Sequence, residues 1–237
     1  MSGLLAAGPV IPSFGQSSAC ERDNGWWCTD WLREHWGDTL QPALVQHLEL
    51  TAIAVACGFA IASLLAIAGF RFRLIDPPIG TLADFLYTIP SLALFQLLVP
   101  FTGLTVTTVE IALTSYTLFV LYRNMVAGLR GVPPDVLESA RGMGLTRLQV
   151  FRRIELPLAA PAVLAGLRIA TVSTVSIATV AAFVVPKGLG EPIFIALDQN
   201  LFKTEILAAG VLAILLALAA DLLLVAAGRA LTPWSRA

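Results

Sequence analysis

Polar and apolar residues in this chain segregate into long blocks. Continuously apolar windows run over about 48–70, 80–100, 103–122, 158–185 and 206–228, each near the roughly 20 residues an α-helix needs to cross a hydrocarbon core. A lipid-facing barrel would instead alternate polar and apolar residues in short segments, and an open strand edge would leave its backbone unpaired in lipid. The pattern therefore predicts an all-α, polytopic helical membrane protein with about five transmembrane helices. Pro90, midway through the second window, predicts a kink there. Between the third and fourth windows, Pro133, Pro134 and Asp135 suit a helix start and Gly142–Gly144 a stop. Thr146 with Gln149 then forms a capping box for a second short helix, which carries Leu148, Phe151 and Ile154 at helical spacing until Pro157 stops it.

Composition supports the membrane reading. Of 237 residues, 57% are hydrophobic and 13% charged, with mean hydropathy +0.80, whereas soluble domains carry about a quarter charged residues. The net charge of −1 conceals a biased distribution. Arg71 and Arg73, then Arg123, Arg130, Arg141, Arg147, Arg152 and Arg153, then Arg229 and Arg236 occupy alternate loops. By the positive-inside rule these loops are cytoplasmic, which places the N-terminus outside and the C-terminus inside. The arginines form no nucleic-acid-binding face, so nucleic acid is excluded as a partner.

Three regions follow: an outer N-terminal segment over 1–42, a transmembrane domain over 43–230 whose cytoplasmic loop spans 123–157, and a cytoplasmic tail over 231–237. Residues 1–19 carry no charge and are broken by Pro9 and Pro12, so no cleaved signal is expected. Trp26, Trp27, Trp31 and Trp36 predict an interfacial helix before the first span, in contact with membrane lipid. Cys20 and Cys28 share this segment, and their spacing leaves a disulfide and free thiols equally open.

Several polar residues fall within the apolar windows. Arg168 lies ~15 Å into the fourth and Asp221 ~12 Å from the inner end of the fifth, at 1.5 Å per residue, so the two are predicted to meet as an intramembrane ion pair. Glu110 lies near the outer end of the third window, hydrated and placed to attract a cation or to bond between helices. Thr171, Thr174 and Ala178 share one face of the fourth, and with Tyr87, Tyr116 and Glu110 they are candidates for lining a translocation path. The aromatic faces of Tyr87, Tyr116, Phe119 and Phe183 suit a quaternary ammonium by cation–π attraction, while packing alone also accounts for them. His47 reads as an interfacial side chain.

No G-x-x-x-x-G-K-[ST] phosphate loop occurs, and no cysteine, histidine and acid cluster has metal-ligand spacing. The chain is therefore expected to be neither an enzyme nor a metal protein, with any nucleotide bound elsewhere.

The stretch E-S-A-R-G-M-G from Glu138 to Gly144, closed by Ile154, Leu156 and Pro157, resembles the E-A-A…G…I-x-L-P loop of permease subunits of bacterial ABC importers. The runs Y-T-I-P-S-L-A-L-F from Tyr87, L-P-L-A-A-P-A-V-L-A-G-L-R from Leu156 and G-L-G-E-P-I from Gly188 are similar to the osmoprotectant subfamily, over roughly residues 45–230. Departures are Ser139, where the family often has Ala, and V-P-K-G-L-G from Val185 in place of a Gly-rich turn. The resemblance implies the MetI-like permease fold with a cytoplasmic coupling-helix hairpin in the bacterial inner membrane. It implies ATPase coupling through Glu138, Ser139, Ala140, Gly144, Ile154, Leu156 and Pro157. Implied partners are a cytoplasmic ABC ATPase dimer that binds ATP and magnesium, a second permease subunit, identical or homologous, and an extracytoplasmic substrate-binding protein. The implied cargo is a quaternary amine such as glycine betaine, choline or carnitine. The residues alone leave open an ATP-independent channel or carrier for a small solute.

Overall fold

The computed structural model describes residues 19–199 and 201–236. The reading of residues 1–18 as lacking a cleaved signal lies outside them. In chain order the α-helices are α1 (Ala19–Arg22), α2 (Thr29–Glu34), α3 (Gln41–Arg71), α4 (Asp76–Thr88), α5 (Ser91–Thr102), α6 (Val106–Arg130), α7 (Pro134–Gly142), α8 (Arg147–Val150), α9 (Leu156–Ala181), α10 (Gly190–Gln199) and α11 (Lys203–Leu231). Two five-residue π-helical turns, Trp36–Leu40 and Phe151–Glu155, lead directly into α3 and α9. Each is followed by a proline in the first turn of the next helix, Pro42 or Pro157. Proline has no N–H to donate and its ring crowds the carbonyl one turn back. A wider turn accommodates that defect without ending the helix.

This device overturns one expectation. Pro157 does not stop the second hairpin helix, because Arg147–Ala181 runs as one 35-residue helical rod. The second apolar window is likewise not a single kinked span. Ile89, extended at φ −69° and ψ 127° before Pro90, breaks it into α4 and α5, which cross at 102°. The residue before a proline is driven out of the α region, and here the helix resumes at Ser91 only in a new direction.

Three rods, Trp36–Arg71, Arg147–Ala181 and Lys203–Leu231, are long and apolar enough to cross a membrane, and the bent α4–α5 pair adds a fourth candidate. The 25 residues of α6 reach ~37 Å at 1.5 Å per residue, and α6 continues to Arg130 where the sequence pattern stopped near 122. It packs most extensively on α3 and α9, with α4 and α5 also against it, so it is the central helix and need not be uniformly apolar. Contacts are close because small residues meet across them. A Cβ on Gly166 would stand 2.5 Å from the Asn124 Cβ, and one on Gly128 would stand 2.9 Å from the Ala162 Cβ.

The core forms layers around α6. Leu50, Phe95, Leu113 and Ala178 pack in one half, and Ala66, Leu121, Tyr122 and Ala170 in the other. Cys28, Trp31, Leu40 and Ala209 form a smaller cluster at one end. There Cys20 and Cys28 are disulfide-bonded, with Cα atoms 5.9 Å apart. The stapled loop ties to the start of α11: Lys203 N donates to Asn24 Oδ1 at 3.0 Å and Thr204 Oγ1 donates to the Gly25 carbonyl at 2.9 Å. The tryptophans divide between two environments. Trp31 is buried, stacked on His35 and edge-on to Phe202, while Trp26, Trp27 and Trp36 are exposed.

Candidate translocation and coupling sites

The hairpin is built by local rules. Pro133 and Pro134 open α7, and Gly144, at φ +82°, turns the chain out of it. Leu145 N donates to the Ala140 carbonyl at 3.2 Å and Gly144 N to the Arg141 carbonyl at 2.9 Å. These two bonds are a Schellman motif, which needs a left-handed residue where Gly144 stands. The capping box is complete, with Thr146 Oγ1 accepting from Gln149 N at 3.4 Å and Gln149 Oε1 from Thr146 N at 2.8 Å.

Among the residues named for coupling, Ala140 is buried and Glu138, Ser139 and Gly144 are exposed. Ser139 Oγ donates to the Asp135 carbonyl at 2.8 Å. Ile154 and Pro157 are half-buried, and Leu156 is exposed with Val136, Met143 and Leu148. Met143, 71% exposed, stands at the tip beside Gly144. Exposed apolar residues at this density on a short hairpin are typical of a contact surface, and the second hairpin helix is continuous with α9, since α8, the π-turn and α9 are one rod.

The opposite end of the rod meets a buried histidine. His47 is fully buried and is not interfacial. Its Nδ1 accepts from Leu189 N at 3.2 Å, which leaves Nε2–H to donate to the Val175 carbonyl at 3.0 Å. Gln46 Oε1 accepts from Gly188 N at 3.1 Å, and a Cβ on Gly188, at φ +76°, would stand 2.9 Å from His47 Nδ1. The segment around Gly188 is therefore clamped to α3. Pattern alone missed this role, because both partners of the ring are backbone groups distant in sequence.

Two ion pairs lie along the helices. Arg168 Nε donates to Asp221 Oδ1 at 2.8 Å and Nη2 to Oδ2 at 3.0 Å, joining α9 to α11. Arg123 joins α6 to α4 in the same side-on way, Nε to Asp84 Oδ1 at 3.0 Å with Nη2 on Oδ2. Sequence reading passed over the second pair, although Asp84 is the one charged residue in the apolar window 80–100. At the base of α4, Asp76 accepts from Tyr122 at 2.6 Å and pairs with Arg130 at 2.9 Å.

The path candidates separate. Thr174 and Tyr116 are buried within the bundle, Thr174 donating to the Ala170 carbonyl and Tyr116 to the Ile89 carbonyl. Thr171 lines an apolar groove of about 440 Å³ between α3, α9 and α11. The Glu110 carboxylate is not at the surface as expected: both oxygens are buried, without a hydrogen-bond partner among the described residues. Tyr87, 44% exposed, stacks on Phe119 at 4.3 Å and meets Tyr116 edge-on at 6.0 Å. Phe183 packs apart from them, against Phe194.

A helical bundle whose rods are long and apolar enough to cross a membrane, with one bent pair and a projecting hairpin, is the architecture of a polytopic membrane protein. Residues 48–236 match the binding-protein-dependent transport system inner membrane component family, and the chain belongs to that family. Similar proteins include a choline transport system permease protein of Bacillus subtilis, 35% identical over 189 residues that cover 79% of this chain and 86% of the relative. A glycine betaine/carnitine/choline transport system permease protein of the same organism is 33% identical over 189 residues, with the same coverage. An osmoprotectant import permease protein of Salmonella typhimurium is 35% identical over 150 residues, 61% of this chain and 70% of the relative. The fold is shared with the MetNI methionine ABC transporter in inward facing conformations, at TM-score 0.71 and 20% identity over 81% of this chain and 96% of that one.

Proposed function

We propose that this chain is the permease subunit of an ATP-driven importer of quaternary-amine osmoprotectants such as glycine betaine, choline or carnitine. Two such subunits, identical or homologous, would enclose the path. A cytoplasmic ATPase dimer would bind ATP and magnesium, and an extracytoplasmic binding protein would deliver the cargo. The observation that carries the reading is the hairpin, whose second helix, with Leu148 exposed, is continuous with the 35-residue rod Arg147–Ala181. A motor that grips the exposed Leu148 at the start of that rod displaces α9, and α9 ends where His47 clamps the segment around Gly188. Rigid-body switching of access from one side to the other needs such a connection.

Two observations support an orientation with the N-terminus outside. The arginines collect at the hairpin end, as the positive-inside bias requires of a cytoplasmic face. The Cys20–Cys28 disulfide lies at the other end, and disulfides persist in oxidising compartments.

The test is purification of the intact complex. Wild-type chain co-elutes with an ATPase, whereas Glu138→Lys or Gly144→Val loses it while retaining helical content. Valine at Gly144 cannot adopt φ +82° without strain. Solute transport by this chain alone in vesicles would overturn the reading.

A further inference from the structure

We propose that the break between α4 and α5, together with the facing turn of α6, forms a transient binding site for a zwitterionic quaternary amine, with the open face of Tyr87 holding the ammonium and Arg123 the carboxylate. This rests on the transport reading and gives it a location within the membrane.

The geometry begins with helical spacing. Asp84 and Tyr87 stand three residues apart on α4, and Tyr116, Phe119 and Arg123 stand at i, i+3 and i+7 on α6, so each set shares one face. The two faces meet: Tyr87 stacks on Phe119, and Arg123 pairs with Asp84 one turn below. Arg123 lies seven residues from the end of α6 and Asp84 eight from the start of α4, hence ~10–12 Å along the helices from their loops. That depth is within a hydrocarbon core of ~30 Å.

Yet the Arg123 and Asp84 side chains are 50% and 44% exposed. An ion pair facing lipid at that depth is costly, so such residues face water or protein. The adjacent break argues in the same direction. Helix ends inside a membrane are tolerated where they border a cavity or are buried in protein. Tyr116 hydroxyl satisfies the Ile89 carbonyl at the break, while Tyr87, two residues before it, stays open.

The chemistry fits one class of ligand. A quaternary ammonium has no N–H to donate, so it is recognised by aromatic faces and diffuse negative charge. Tyr87, 44% exposed, supplies its open face, the other being covered by Phe119, and the C-terminal end of α4 supplies partial negative charge. Arg123 spends Nε and Nη2 on Asp84, leaving Nη1 for a carboxylate. The Arg168–Asp221 pair joins α9 to α11, whereas the aromatic stack joins α4 to α6 beside Arg123. Glu110 is excluded because its carboxylate is buried.

The test uses the assembled transporter with its binding protein and ATPase in proteoliposomes, and compares uptake of glycine betaine, which has a carboxylate, with choline, which lacks one. Arg123→Gln is expected to raise KM for glycine betaine about tenfold while changing choline little. Tyr87→Leu is expected to raise KM for both by about tenfold, and Tyr87→Phe, which keeps the ring, to restore it. Wild-type KM for both substrates in Arg123→Gln and Tyr87→Leu would overturn the site. Equal loss for both substrates with dissociation of the permease pair would make the ion pair a subunit contact and would also overturn it. Failure of the transport reading is distinct, since the wild-type complex would then move neither solute.

Discussion

At the scale of single residues, charge placement is decided by whether a partner is within reach. Arg168 and Asp221 satisfy each other through two bonds between α9 and α11, and each would be a lone intramembrane charge without the other. Arg168→Asp alone should therefore abolish assembly of the complex, measured as monodisperse elution in detergent. Adding Asp221→Arg should restore part of it, and absence of rescue would refute a direct contact. Glu110 is the contrary case, with both oxygens buried and no hydrogen-bond partner among the described residues. Burying a polar group without a hydrogen bond is unfavourable, so Glu110→Met, which buries no strongly polar atom, should raise the thermal midpoint of the complex by a few degrees. A lower midpoint would mean that the carboxylate finds a partner in the assembly.

At the scale of elements, what was legible followed from local chemistry. The capping box at Thr146 and Gln149, and the stop at Gly144, depend on residues within one turn and were readable from the sequence. Pro90 and Pro157 show where locality fails. Pro90 was readable as a kink and Pro157 as a stop, but the first separates two helices by 102° and the second is absorbed by a π-turn. The difference lies in what packs around each proline, which no window of sequence contains. Helix spacing is set in the same non-local way, by small residues meeting across an interface. Gly166→Val should prise α6 from α9, because even a Cβ there would lie 2.5 Å from Asn124. Gly210→Val on α11, where a Cβ meets nothing within 4 Å, is the matched control. Equal melting temperatures for the two variants would refute the close approach.

At the scale of the whole molecule, the function depends on which end of the bundle meets the cytoplasm. The apolar blocks implied the membrane and the arginines implied a side, but neither could reveal that His47 and the stapled loop close the opposite end, since those contacts join residues more than a hundred positions apart. The two ends now carry separate markers, Met143 at 71% exposure on the hairpin and Trp27 at 57% beside the disulfide. Orientation can be read by single cysteines placed at each, after Cys57→Ser removes the free exposed thiol. A membrane-impermeant maleimide added to intact cells should label Trp27→Cys and leave Met143→Cys unreacted until the membrane is opened. A thiol at position 27 beside Cys28 could exchange with the disulfide, so Trp36→Cys, on a side chain 45% exposed at the same end, provides an independent outer probe. Labelling of Met143→Cys in intact cells would put the hairpin outside, beyond reach of any cytoplasmic motor, and the lever formed by Arg147–Ala181 would have nothing to drive it.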